Sequence, residues 1–282
     1  MSKIADKLRH PILDDLPELW SNYTPATFPF ISTAIMLDEV PGLIASLEHK
    51  KDGDCVPYVL GSRDAAIAVS PLPYGKAVEA ARAGLSAIDG GQWLGGVAMM
   101  YLANYLLARS VIQIFGVVPL GRDKKWTLDL FPNGSPVFRS AGKIDEIQVW
   151  KTDAWSHAIV WSILERILNT LKAEKDILED VRPLKMTDWG KFPGRRNKYS
   201  YNDGYLCELH EGGDLSVPGD VVVDIRRLAA DIDFRRDRMD AGYYLAVFRR
   251  LLWFHDLCSE KAGISGAFKP YGSVARTEAL VA

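Results

Sequence analysis

The run from Trp93 to Ala108, WLGGVAMMYLANYLLA, constrains the fold more than any other stretch of the chain. Only Asn104 interrupts it, and Arg109 ends it. It falls short of the roughly 20 apolar residues that a membrane span needs, and a helix that is apolar on every face otherwise sits at the centre of a core. The expectation is a buried helix with other elements packed around it, and no membrane association. The rest of the chain can supply that packing, because 48% of its 282 residues are hydrophobic and 25% are charged. This is far from the sparse, highly charged composition that stays disordered.

The neighbours of that helix follow from periodicity and turn chemistry. Residues 74–87 and 92–115 read as two helices divided by Asp89-Gly90-Gly91, a turn short enough to make them antiparallel. Residues 55–69 place β-rich runs on either side of 61–64, and residues 125–139 alternate around 132–135, which predicts two hairpins. Residues 143–150 predict a further strand. From Thr152, with Asp153 as alternative cap, a helical pattern runs through Trp155, Ile159, Ile163, Ile167 and Leu171 to about Lys175.

A polar stretch rich in Gly, Asp and Arg follows from 183 to 219, then a short helix at 221–230. A long closing helix is expected over 234–262, its apolar face carrying Tyr244, Val247, Phe248, Leu251, Phe254 and Cys258. Near the N-terminus, PELW at 17–20 reads as helical, as does 31–47 with an interruption at Pro41. The fold class is therefore mainly α, an antiparallel helical bundle with two small β-hairpins. It divides into an N-terminal helical segment with a hairpin (1–72) and a helical bundle domain (73–282) that carries the long polar loop 183–219.

Net charge is −2, so attraction to nucleic acid or membrane has to come from a local patch. Cys55, Cys207 and Cys258 are scattered, odd in number and free of any CxxC pair, which argues against a disulfide framework or a structural zinc. No metal site or cofactor is expected. The charged N-terminus MSKIADKLRHPILDD lacks the apolar segment of a secretory signal, so a cytoplasmic protein is expected. There is no GxxxxGK[ST], no GxGxxG after a strand, no GxSxG and no HExxH.

Of the five histidines, His10 and His49 sit among charges and read as solvated, and His210 lies between carboxylates in a loop. His157 reads as a packed histidine at a helix start, beside Trp155 and Trp161. His255 lies five residues after Arg250 in FRRLLWFHDLC. An arginine can stabilise charge on a scissile phosphate while a histidine moves the 2′-hydroxyl proton, so such a pair supports RNA cleavage without metal. Five residues along a helix separate the two side chains by about 140°, which leaves room for a two-fold partner to complete the site. Residues 185–201 interleave Lys185, Lys191, Arg195, Arg196 and Lys198 with Trp189, Phe192, Tyr199 and Tyr201. The mixture suits phosphate contacts plus base stacking, with Lys191, Arg195, Arg196, Lys198 and Tyr199 as the candidate nucleic-acid residues. The competing reading is a solvated loop whose aromatics pack back on the core.

Arg250-x4-His255 resembles the Rx4-6H motif of the HEPN superfamily, whose helical proteins often dimerise and include RNases of immunity and toxin systems. Residues 98–117, AMMYLANYLLARSVIQIFGV, are similar to the aromatic-alanine-arginine helix of many HEPN proteins. The closing run GYYLAVFRRLLWFH resembles the final helix of the YaaC-like branch. The resemblance implies an RNA-binding or RNA-cleaving protein in a defence or toxin setting, a homodimer or a subunit of a complex. If it is an enzyme, it is a metal-independent endoribonuclease with Arg250 and His255 as the reactive pair. Two readings of other classes stand beside it. One is a non-enzymatic helical scaffold subunit of a complex. The other is a haem-binding enzyme with His255 as axial ligand.

Overall fold

The computed structural model describes residues 13–20, 46–47, 49–57, 71–120, 126–130, 146–151, 156–192 and 240–268. Helix dominates them, joined by one small antiparallel sheet. The elements in chain order are α1 (Leu16–Leu19), β1 (Cys55–Pro57), α2 (Pro71–Asp89), α3 (Trp93–Ile114) and β2 (Val117–Leu120). They continue with β3 (Trp126–Asp129), β4 (Glu146–Lys151), α4 (His157–Thr170), α5 (Lys175–Lys185) and α6 (Asp240–Lys261). Short 3-10 turns occupy Leu13–Asp15, Trp189–Lys191 and Ser265–Ala267.

The predicted core helix is α3, and it packs against α2, α4 and α6. It is the one helix among the described residues long and apolar enough to cross a membrane, and most of its surface is covered by the rest of the chain. Prolines at 71 and 73 fall in the first turn of α2, where the missing N–H has no helical partner to lose. At the other end of α2, Gln92 N–H donates to Ala87 O (2.7 Å) and Gly91 N–H to Ile88 O (3.0 Å). With Gly91 at φ +76°, this closes the helix in a Schellman turn that a side chain would strain, and it turns the chain straight into α3.

Two further glycines let α2 and α3 approach closely. A Cβ built on Gly96 would lie 2.3 Å from Ile88 Cγ1 and 2.8 Å from the Gly84 carbonyl oxygen. Asn104, the polar interruption of the apolar run, is fully buried and ties α3 to α6, donating to Met100 O (2.9 Å) and Tyr244 O (2.8 Å). From the other side, Trp20 Nε1–H donates to Ile114 O (3.0 Å) and anchors the α1 segment on the end of α3.

The sheet runs β1-β4-β3-β2, antiparallel throughout. Its pairing corrects the second expected hairpin. Trp126–Asp129 pairs on one side with Val117–Leu120 and on the other with residues 148–151. Both edges of β3 are taken, so no edge is left for a return strand at 136–139. The turn at 132–135 itself lies outside the described residues, as do the 61–64 turn and return strand of the first hairpin. The strand expected at 143–150 is β4.

The helix expected from Thr152 to about Lys175 is shorter, His157–Thr170, and Lys175 opens the next one. Ser156, not Thr152 or Asp153, is the N-cap, its Oγ accepting from Ile159 N–H at 3.4 Å. The chain then turns extended at Leu171 (φ −56°, ψ 128°), and the next carbonyl, of Lys172, accepts from Leu13 N–H at 3.0 Å. A contact more than 150 positions away in sequence thus occupies the break. The polar stretch also begins later than 183, because Pro183 lies inside α5. The bond it forfeits belongs to the carbonyl of Glu179, an exposed residue that solvent satisfies. The expected helices at 31–47 and 221–230 fall almost wholly outside the described residues.

Candidate functional site

α6 carries Arg250 and His255, and it places them in different environments. Arg250 is half-buried beside Asp180 of α5 and its own neighbour Arg249; burial lowers its pKa and Asp180 raises it. His255 has no exposed surface. Its ring stacks on Tyr74 of α2 (centroids 4.6 Å, 23°) and meets Phe268 edge-on (4.5 Å, 87°). Nε2 lies 3.0 Å from Ser110 Oγ of α3, and Nδ1 lies 3.4 Å from Asp256 Oδ1.

Burial lowers the His255 pKa, against a smaller upward pull from Asp256, so the ring is neutral near neutral pH. A carboxylate can only accept, so with Nδ1 beside Asp256 the ring proton sits on Nδ1 and Nε2 accepts from the Ser110 hydroxyl. The hydrogen-bond directions are those of a Ser-His-Asp relay. Here, however, Ser110 and His255 are both at zero exposure, in the middle of two helices. The relay ties α3 to α6 from within the core. Cys258, one turn further along α6, is equally buried, and burial pushes its thiol well up. It is an inert core residue.

The same geometry bears on the haem reading. An axial ligand needs a nitrogen facing the iron. His255 Nε2 faces Ser110, while Tyr74 and Phe268 cover the ring. The residues around it do not fit the group.

The nucleic-acid segment divides. Lys191 is exposed and pairs with Asp188 at 2.8 Å, which offsets its charge locally. Trp189 and Phe192 are fully buried. Trp189 stacks on Trp161 (5.3 Å, 17°) and donates its N–H to Leu184 O (3.1 Å), while Phe192 packs on Trp161 (4.8 Å) and Tyr244 (5.3 Å). In this half of the segment the aromatics are core, and no base can stack on them. Arg195, Arg196, Lys198 and Tyr199 lie outside the described residues, as do His10 and His210. His49 is exposed, as its charged surroundings predict.

A second cluster forms where α3 meets α4, around the histidine read from sequence as merely packed. His157 is half-buried, its ring stacked on Tyr105 (centroids 4.0 Å, 27°), with Nδ1 2.8 Å from the Tyr101 hydroxyl. That hydroxyl accepts from Trp161 Nε1–H at 3.2 Å. Arg109 sits by the same Tyr105 ring, with Cζ 5.9 Å from its centroid. Burial raises the Tyr105 pKa, and hydrogen bonding and charge from Arg109 partly offset the rise. One sequence signal marked this face: Tyr101, Tyr105 and Arg109 recur every four residues on α3, one above another.

Against protein-family models, curated proteins and solved structures, the chain has no match.

Proposed function

We propose that this chain is a non-enzymatic helical scaffold, a bundle of long antiparallel helices that works in the cytoplasm as a subunit of a protein complex. The single observation that carries the reading is the complete burial of His255, with both ring nitrogens hydrogen-bonded inside the chain. A general base has to come within hydrogen-bond reach of the proton it takes. An imidazole sealed between Tyr74, Phe268 and Ser110 acts as a polar pin between helices, whereas Arg250 is half-buried beside Asp180 and not at the His255 ring. The buried Trp189 and Phe192 and the ion-paired Lys191 support the same view, since they remove the stacking platform that RNA binding over 185–192 requires.

The test is incubation of total RNA, without metal, with wild-type protein and with His255→Asn, read on a denaturing gel after circular dichroism has established that both are folded. Intact RNA in both lanes is the expected result. Cleavage by the wild type that disappears in His255→Asn overturns the scaffold reading and restores the ribonuclease one.

A further inference from the structure

One side of α6 collects the residues that the core leaves out. Within 244–260 every residue is buried except Arg249, Arg250, Trp253, Asp256, Leu257 and Glu260. At about 100° per residue these six share an arc of roughly 120°, on the side of the helix away from Tyr244. Trp253 lies at the middle of that arc, with Arg249 to one side of it and Arg250 to the other. Helical side chains lean toward the N-terminus, which carries the indole toward the turn from which both arginines leave.

Trp253 is half-buried, its covered part packed against the core. Among the described residues no acceptor takes its indole N–H, and no carboxylate lies within ion-pair distance of Arg249 or Arg250. Burial lowers the Arg250 pKa most, Asp180 raises it, and the like charge of Arg249 lowers it again. The two guanidiniums are therefore close enough to repel, and Asp180 on α5 stands nearby without pairing with either. Guanidinium and indole groups donate and never accept. A face of this composition suits an acceptor of negative charge with an apolar group beside it, and Trp and Arg are the residues that most often anchor protein partners.

Resting on the scaffold reading and naming the partner it needs, we propose that Arg249, Arg250 and Trp253 dock an acidic segment of a partner protein. A carboxylate of that segment enters between the two guanidiniums and relieves their repulsion, while an apolar neighbour covers the Trp253 ring. Protein is favoured over nucleic acid by what borders the patch. Asp180 flanks Arg250, and Asp256 and Glu260 continue the same face toward the end of the helix. A single peptide carboxylate fits between these negative charges, whereas a polynucleotide carries a phosphate at every step and has to pass them.

The test is a titration of the full-length protein with a short fluorescein-labelled peptide alternating glutamate and leucine, read by anisotropy. The same peptide with glutamine for glutamate and an oligouridine RNA of equal length are the comparisons. Saturable binding of the acidic peptide alone is expected. Arg249→Gln, with no ion pair to lose, should keep its circular dichroism and weaken binding roughly tenfold or more, and Trp253→Ala should weaken it severalfold. Arg249→Lys, which keeps the charge, should recover part of the affinity. No saturable binding of the acidic peptide overturns the proposal, and so does an unchanged affinity in Arg249→Gln. Equal binding of the glutamine peptide, or RNA held by the same arginines in the peptide's place, overturns it too. The scaffold reading is tested separately by the RNA gel, so the two failures are told apart.

Discussion

Gly95 and Gly96 are adjacent on α3 and have opposite surroundings, so one substitution made at each separates two forces. At Gly95 an added Cβ meets nothing within 4 Å. Alanine there removes the conformational freedom of glycine in a helix, a gain of up to about 1 kcal/mol. At Gly96 the same methyl arrives 2.3 Å from Ile88 Cγ1 and 2.8 Å from the Gly84 carbonyl oxygen. Ile88 is 2% exposed and has nowhere to turn, and the carbonyl belongs to the backbone of α2, so the two helices have to move apart. Overpacking of this kind costs about 1–3 kcal/mol, with the upper part of that range fitting a contact so far inside van der Waals distance. Set against the same helical gain, Gly96→Ala is expected to lose about 1–2 kcal/mol net. In a chain of this length that is a fall in Tm of roughly 2–8 °C, and Gly95→Ala is expected to raise Tm by up to roughly 4 °C. Thermal and urea unfolding of the three proteins measures both. A Gly96→Ala protein as stable as wild type refutes the close crossing of α2 and α3, whatever Gly95→Ala does.

Acid should act on the core through His255. Burial holds its folded pKa below the ordinary 6.5, so the unfolded chain binds the proton first, and stability is lost as pH falls through 6.5 toward the folded value. The urea midpoint should drop further between pH 7 and pH 5 in wild type than in His255→Gln, and an equal drop in both refutes the role of the neutral ring. Trp189→Ala should cost about 3–5 kcal/mol, as removal of a large core side chain does, although the residue lies in a segment that reads as polar. A loss under about 1 kcal/mol in urea unfolding would return residues 185–192 to the surface.

What the sequence discloses here follows the range of the interaction. The apolar run at 93–108, the Asp89-Gly90-Gly91 turn and the amphipathic face of α6 are local patterns, and each is where it was read. The partners of β3 and the break at Leu171 are set by distant segments, 146–151 and Leu13, and no local rule reports them. Composition has the same limit at 185–192, where a basic and aromatic mixture does not say which way its rings face. The candidate site is the instructive case. Arg250 and His255 draw attention by their spacing, yet the helical period already divides them. At about 100° per residue, His255 falls within about 20° of Tyr244, on the side that also carries Phe248, Leu251 and Cys258, whereas Arg250 falls about 120° away. Tyr244, Phe248, Leu251, His255 and Cys258 are all fully buried, and Arg250 is not. The periodicity that identifies α6 as a core helix thus also seals its histidine. His157 escapes burial because it opens its helix instead of lying within one, and only the fold brings it to Tyr101, 56 residues earlier.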